Sequence, residues 1–284
     1  MTTVLVDSGS SFEMLDANIS DAFNYANSTL TPTLAHYYDD PLNYMDYIGT
    51  GLTYDSNGNM TGGTLTGVVS VHAGVMEVTF SGFSVGAAEF TGLVRSNDVQ
   101  GLWDSIMAGK DLLYGGSLND QLLGNDGNDR IYGRGGHDLL KGESGNDKLY
   151  GGADSDILLG GLGNDRLDGG GGADYVFGGA GEDSFIFNTK PRAATADMIG
   201  DFKPADDTIL LDSAVYTTVG AVGPLNPGRF YIGTAAHDAT DRIIYNSANG
   251  RLFYDDDGTG PDAAVRIATL QIELPMTADD FVII

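Results

Sequence analysis

Nine aspartates recur at a single spacing. They stand at Asp111, Asp120, Asp129, Asp138, Asp147, Asp156, Asp165, Asp174 and Asp183, one every nine residues without a break. A glycine lies five residues before each aspartate from Asp120 onward, at positions 115, 124, 133, 142, 151, 160, 169 and 178. The chemistry open to such a set is coordination of a hard cation. Glycine turns can adopt positive φ and bring backbone carbonyls to one side. The aspartate adds a charged oxygen at the end of the turn. Ca²⁺ accepts carbonyls and carboxylates together in a flexible geometry.

The elements that must hold these oxygens follow from the residues between them. Two places after each aspartate is a large apolar residue: Leu113, Leu122, Ile131, Leu140, Leu149, Leu158, Leu167, Val176 and Phe185. The unit is GGxGxDxUx, with U apolar, and the runs from Gly160 and from Gly178 match it in full. The x-U-x triplet forms a short strand with U inward. One unit cannot bury U by itself, whereas stacked units bury a continuous column. The predicted object is a right-handed parallel β-roll over 111–186, with two units in each eighteen-residue coil. Each aspartate then stacks on the one eighteen residues away. The pairs are 111/129, 129/147, 147/165 and 165/183 on one edge, and 120/138, 138/156 and 156/174 on the other. Calcium between paired turns gives an upper bound of about seven ions.

This pattern strongly resembles the RTX family, the haemolysin-type calcium-binding repeats. The resemblance implies a ligand set for each ion. Carbonyls of positions 2 and 4 and the aspartate come from one turn. Carbonyls of positions 1 and 3 and the aspartate come from the turn two units later. For the best-matching pair these are Glu143, Gly145 and Asp147 with Gly160, Leu162 and Asp165. The next pair is Gly161, Gly163 and Asp165 with Gly178, Ala180 and Asp183. Along the array the same positions add Gly127, Gly136, Gly142, Gly151, Gly152, Gly169 and Gly171 as expected metal-site residues. Position 4 is Leu118 in the first unit and Asp154 in the fifth. Asp tolerates the left-handed region better than Leu, so the site using Leu118 is expected to be the weakest. The resemblance also implies export through a type I secretion apparatus by an uncleaved C-terminal signal. The ending Asp279-Asp280-Phe281-Val282-Ile283-Ile284 has that signal's acidic-then-apolar character, and it also reads as a final strand.

Composition agrees with an extracellular calcium protein. The 284 residues carry 14 basic and 40 acidic side chains, a net charge of −26. The charge is spread evenly, −10 over residues 1–110, −9 over 111–183 and −7 over the remainder. Such a chain repels nucleic acid and anionic membranes. Without cation the aspartate column repels itself, so folding of the roll is expected to depend on Ca²⁺. There is no cysteine, which excludes disulfides, thiolate zinc sites and a Cys nucleophile. The first residues lack the basic and apolar regions of a signal peptide, and no stretch approaches about 20 apolar residues.

The flanks read as separate domains. Residues 1–110 are expected to be an α+β domain whose ligand is a polysaccharide or small molecule. Ser10 and Glu13 fit a capping box, and Phe12, Leu15, Ile19, Ala22 and Phe23 predict a helix over 11–26. Hairpins are expected around Asn57-Gly58 and Ala73-Gly74, and helices over 87–94 and 102–107. Residues 187–284 are expected to be a β-rich cap, since an open stack needs one. Its predicted strands are 209–211, 230–232, 243–245, 252–254, 265–270 and 281–284. The region resembles the C-terminal flank of RTX proteins, including that of serralysin-type proteases. The acidic turns at Asp201, Asp206-Asp207 and Asp255-Asp256-Asp257 are either additional ion sites or solvated turns.

No complete catalytic constellation is present. The four histidines, His36, His72, His137 and His237, do not form HExxH. Gly82-Phe83-Ser84-Val85-Gly86 matches GxSxG, so an esterase with Ser84 as nucleophile is one alternative. The only histidines after Ser84 are His137, inside a repeat, and His237, in the flank, so no histidine of the first domain completes it. His36-Tyr37-Tyr38 raises a second alternative, haem or ligand scavenging. The expectation is a secreted, non-enzymatic calcium-binding protein whose roll supports an N-terminal interaction domain.

Overall fold

The computed structural model describes residues 3–6, 27–30, 34–40, 43–54, 60–72 and 75–86 by their backbone, and residues 109–284 in full. From Asp111 onward the chain winds between two sheets. One sheet takes β7 (Leu112–Tyr114), β9 (Arg130–Gly135), β11 (Lys148–Ala153), β13 (Arg166–Gly171) and β15 (Ser184–Phe187). The other takes β8 (Gln121–Leu123), β10 (Leu139–Ser144), β12 (Ile157–Leu162) and β14 (Tyr175–Ala180). All neighbours are parallel and offset by one coil of eighteen residues: Leu149 pairs with Ile131 and Leu167, Leu158 with Leu140 and Val176. The apolar residue of every unit faces inward, and all nine from Leu113 to Phe185 are at most 4% exposed. Burying a side chain of that size contributes roughly 1.5–3 kcal/mol. The column is therefore the main apolar support of a segment that is otherwise glycine and acid.

The coil does not stop at the last full repeat. β16 (Asp197–Ile199) adds to β14 with Val176 opposite Ile199, and β17 (Thr208–Leu211) adds to β15 with Phe185 opposite Ile209. Ile199 and Ile209 continue the buried column. β22 (Val265–Thr269) then extends the second sheet, and β23 (Phe281–Ile283) extends the first. The antiparallel pair β20 (Ile243–Asn246) and β21 (Arg251–Tyr254) turns at Asn249-Gly250, and β19 (Phe230–Ile232) flanks it. β18 (Gly223–Pro224) closes the other sheet beside β23. Phe202, Tyr216, Tyr245 and Phe281 fill the end of the roll, so the open column is capped by aromatic side chains.

The N-terminal part contributes strands. β2 (Asn27–Leu30), β3 (Leu34–Asp40), β4 (Asn43–Tyr54), β5 (Met60–His72) and β6 (Val75–Gly86) form an antiparallel series ending on β1 (Thr3–Val6). The two expected hairpins are present: Tyr54 pairs with Met60, and His72 with Val75. β1 also pairs in parallel with β7, Val4 opposite Leu113, so one sheet runs from this part into the roll. The helices expected over 11–26, 87–94 and 102–107 lie outside the described residues. The GxSxG alternative at Ser84 falls within a strand. Residues 82–86 lie within β6, with Val85 opposite Leu65 and Gly86 opposite Thr64. Residues 82–84 fall at an irregularity of the β5–β6 ladder, inside a strand and not at the strand-to-helix turn that GxSxG requires. His36-Tyr37-Tyr38 likewise lies inside β3, with His36 between Thr29 and Asp46.

Candidate metal centre

The aspartates form two ladders, one along each edge of the roll. In each, the backbone N–H of one aspartate donates to Oδ1 of the aspartate eighteen residues on. The distances are 2.7 Å for Asp111 to Asp129, 2.7 Å for Asp129 to Asp147, 2.8 Å for Asp147 to Asp165 and 2.9 Å for Asp165 to Asp183. On the other edge Asp120 to Asp138, Asp138 to Asp156 and Asp156 to Asp174 each measure 2.8 Å. One oxygen of each carboxylate from Asp129 to Asp183 is thus committed to aligning the coils.

The second oxygen is the notable one. Oδ2 of Asp129, Asp138, Asp147, Asp156, Asp165, Asp174 and Asp183 is buried and has no hydrogen-bond partner. Leaving a buried acceptor unsatisfied costs roughly 1–3 kcal/mol, more when it is charged. These oxygens face the position-1 glycines. A Cβ on Gly142 would collide with Asp147 Oδ2 and also with the carbonyl oxygen of Gly160; Gly124, Gly133, Gly151 and Gly160 repeat the arrangement one unit at a time. Gly169 and Gly178 meet Asp174 and Asp183 in the same way. Each cradle is therefore lined by a carboxylate oxygen and, through the middle of the array, a carbonyl of the following coil.

Burial pushes these carboxyls above their usual range and the N–H bonds oppose it, with neighbouring aspartates adding to the rise at Asp129, Asp138, Asp156 and Asp165. Asp138 and Asp147 are pushed up to about 6, and Asp129, Asp156 and Asp165 to about 7. A cation removes that strain by supplying the missing partner. The lining is oxygen only, with neither sulfur nor imidazole, which suits Ca²⁺ over zinc.

The glycines shape the turns at two positions. Position 4 is left-handed at Gly127 (φ 152°), Gly136 (106°), Gly145 (131°) and Gly163 (117°), and a Cβ on Gly145 would land on the carbonyl oxygen of Gly127. Position 2 is also left-handed, at Gly152 and Gly161 but equally at Asn125, Arg134 and Glu143. Gly171, at position 3, needs no such conformation. On the first edge the position-3 carbonyls of Leu162 and Ala180 accept from Gly145 and Gly163 at 2.7 and 2.8 Å. A carbonyl has two lone pairs, so one remains for a cation.

The turn at Leu118 departs from the others, as its residue type predicts. Asp154 accepts the left-handed conformation (φ 71°), whereas Leu118 is absent from that region and is 46% exposed. In that turn the Gly116 N–H donates to Asp120 Oδ2 at 2.6 Å, so the carboxylate closes on its own loop.

Two ladder members were not legible from the period. Asp174 N–H donates to Asp197 Oδ1 at 3.1 Å, and Asp183 N–H to Asp207 Oδ1 at 3.0 Å. Their offsets are 23 and 24 residues, so a nine-residue count misses them. Asp207 belonged to an acidic turn already singled out; for Asp197 the only signal was the apolar Ile199 two places later. Asp201 instead caps Gly178 and Gly179 with both oxygens, at 2.9 and 2.8 Å. Asp255 caps its own turn through Gly258 N–H at 2.9 Å, beside Asp256 and Asp257. His237, Asp238 and Asp241 form a further cluster in which Asp241 accepts from two backbone N–H groups of its loop.

The family model of the RTX calcium-binding nonapeptide repeat (four copies) matches residues 107–122, 114–149 and 150–185. Residues 107–185 are an RTX repeat array. The chain thus carries a calcium-binding parallel β-roll of the RTX kind. No curated protein matches the chain. Among solved structures it is similar to the AlgE6R3 subunit of the mannuronan C5-epimerase from Azotobacter vinelandii, at 24% identity and TM-score 0.23, over 62% of this chain and 79% of that one. It is also similar to the extracellular lipase LipA from Serratia marcescens, at 18% identity and TM-score 0.23, over 61% of this chain and 38% of the lipase. Among the described residues no helix is long and apolar enough to cross a membrane.

Proposed function

We propose that this is a secreted protein whose RTX roll is assembled by extracellular Ca²⁺ and then holds the N-terminal strands as a non-catalytic interaction domain. The observation that carries the reading is the row of seven buried aspartate oxygens without a hydrogen-bond partner. A chain with net charge −26 that buries a row of carboxyls this way needs protons or cations to fold. Millimolar calcium outside the cell supplies the cations.

Each ion sits between an aspartate and the aspartate eighteen residues on, together with turn carbonyls. Glu143, Gly145, Asp147, Gly160, Leu162 and Asp165 form the best-defined set, and up to about seven such sites follow from the ladder. Bound Ca²⁺ supplies positive charge that ties adjacent coils together. The protein's own groups do the positioning: Oδ1 fixes the coil offset, the position-1 glycine leaves the space, and the apolar column sets the pitch. Export by a type I apparatus fits a chain that stays unfolded until it meets calcium. Far-ultraviolet circular dichroism on the purified chain tests the proposal. Calcium added after EDTA treatment should produce a large gain of β signal. An unchanged spectrum would refute calcium-driven folding.

A further inference from the structure

The outer face of the first sheet carries a row of cations. Arg130, Lys148 and Arg166 occupy the same position on β9, β11 and β13 and are in direct register, Arg130 opposite Lys148 and Lys148 opposite Arg166. Adjacent strands lie about 4.8 Å apart. Like charges placed directly opposite on neighbouring strands destabilise a sheet. None of the three makes a salt bridge among the described residues, in a chain with 40 acidic side chains, although Arg166 acts on the Asp168 carboxyl two places along its strand. The array holds five basic residues, and three of them are spent on this row.

A second row runs beside the first. Tyr114, Tyr132 and Tyr150 stack in register, with centroids 5.0 and 4.7 Å apart and planes within 17° and 5° of parallel. The Arg134 guanidinium lies 4.8 Å over Tyr114 and adds a fourth cation at the same face. Ring faces are used against one another, so the row presents ring edges and hydroxyls outward. Burial and the neighbouring rings push the Tyr132 phenol up, which keeps its hydroxyl protonated as a donor. Cation and hydroxyl thus stand side by side on β9 and β11, while on β13 the tyrosine position is taken by Asp168.

We propose that this face binds an acidic polysaccharide of the polyuronate class, one carboxylate and several hydroxyls per sugar, laid across β9, β11 and β13. The cation row matches a line of carboxylates, and the tyrosine row matches the sugar hydroxyls. The rest of the molecule selects against nucleic acid. A net charge of −26 repels a closely spaced phosphate backbone, whereas a polymer of lower charge density meets only the local cations. The proposal rests on the calcium-folded roll, because the two rows exist only when the strands are in register.

The test is titration of the full-length, calcium-loaded protein with a short oligogalacturonate, with calcium uptake measured on the same sample. Binding should weaken steadily with added salt, as counter-ion release requires. The triple variant R130Q/K148Q/R166Q should bind at least about tenfold more weakly, with an unchanged number of bound Ca²⁺. R130Q and K148Q alone should show intermediate losses. Binding unchanged in the triple variant, equal binding of a neutral oligosaccharide, or tighter binding of single-stranded DNA would each overturn the proposal. So would no binding by a protein that takes up calcium normally. Loss of calcium uptake in the wild type would instead defeat the calcium reading beneath it.

Discussion

At the scale of residues, each aspartate has two oxygens with two tasks. Oδ1 accepts the neighbour's N–H and aligns coils; Oδ2 waits for a cation. Asp165 lies between Asp147 and Asp183 in its ladder, so Asp165→Ala should remove two ions, counted by native mass spectrometry, where loss of a single-site ligand removes one. Gly142→Ala is a cleaner probe, since it deletes no ligand and only fills the space between Asp147 Oδ2 and the Gly160 carbonyl. It should lower the ion count by one while the strands remain. The raised carboxyl values set the pH behaviour of the calcium-free protein. A carboxyl whose folded value lies above its unfolded value of 3.8 holds its proton longer in the folded state. That contribution is complete below the unfolded value and is lost as pH rises through about 6 for Asp147 and about 7 for Asp129. In EDTA the roll should therefore melt at a higher temperature near about pH 5 than near about pH 8, and calcium should reverse the order. The nine aspartates were legible because nothing interrupts their period. Asp197 and Asp207 were not, because longer connections precede them while the ladder bonds remain.

At the scale of elements, the turn decides whether a site forms and the strand decides where. The strands of the roll and flank could be read from apolar spacing: 208–211, 230–232, 243–246, 251–254, 265–269 and 281–283 all fall where β-branched, leucine and aromatic residues cluster between turn signals. What spacing could not supply was the partner of each strand. β16 and β17 join the roll's two sheets even though no consensus turn precedes them. The five residues at Ser84 match a turn signature yet lie inside β6, at an irregularity of its pairing with β5. The two ladders make opposite predictions at opposite ends of the roll. At the first turns, Leu118→Gly removes the side chain that excludes the left-handed conformation. It should release Asp120 from Gly116 and strengthen the weakest ion, visible as a tighter final step in calcium titration. At the far end, Lys203 Nζ lies 2.6 Å from the Gly179 carbonyl, and its charge opposes the burial that raises Asp183 and Asp207. An ammonium thus stands where the next ion of the column would follow. Lys203→Gln should raise the calcium count by one without loss of the β signal.

At the scale of the molecule, the sheets pass through the roll and its cap without a break, so the proposed calcium-driven folding should include both as one unit. The last residues are part of that unit. Thr277 and Asp280 cap a short turn at Ala278–Asp280, after which β23 enters beside β17 with Phe281 and Ile283 buried. The terminal Ile284 carbonyl accepts from Ser213 N–H and Oγ, both at 2.8 Å. A C-terminal export signal placed here could be read only before the fold forms, since folding removes Phe281 and Ile283 from solvent. On that proposal, ions that favour the roll also withdraw β23 from solvent. The consequence can be measured on the purified protein without any transporter. Carboxypeptidase should trim the terminal isoleucines quickly in EDTA and slowly in calcium, and the protection should appear over the same calcium range as the β signal. Trimming that is equally fast in both conditions would mean that β23 is not part of the calcium-folded unit, and that the cap and the roll fold independently.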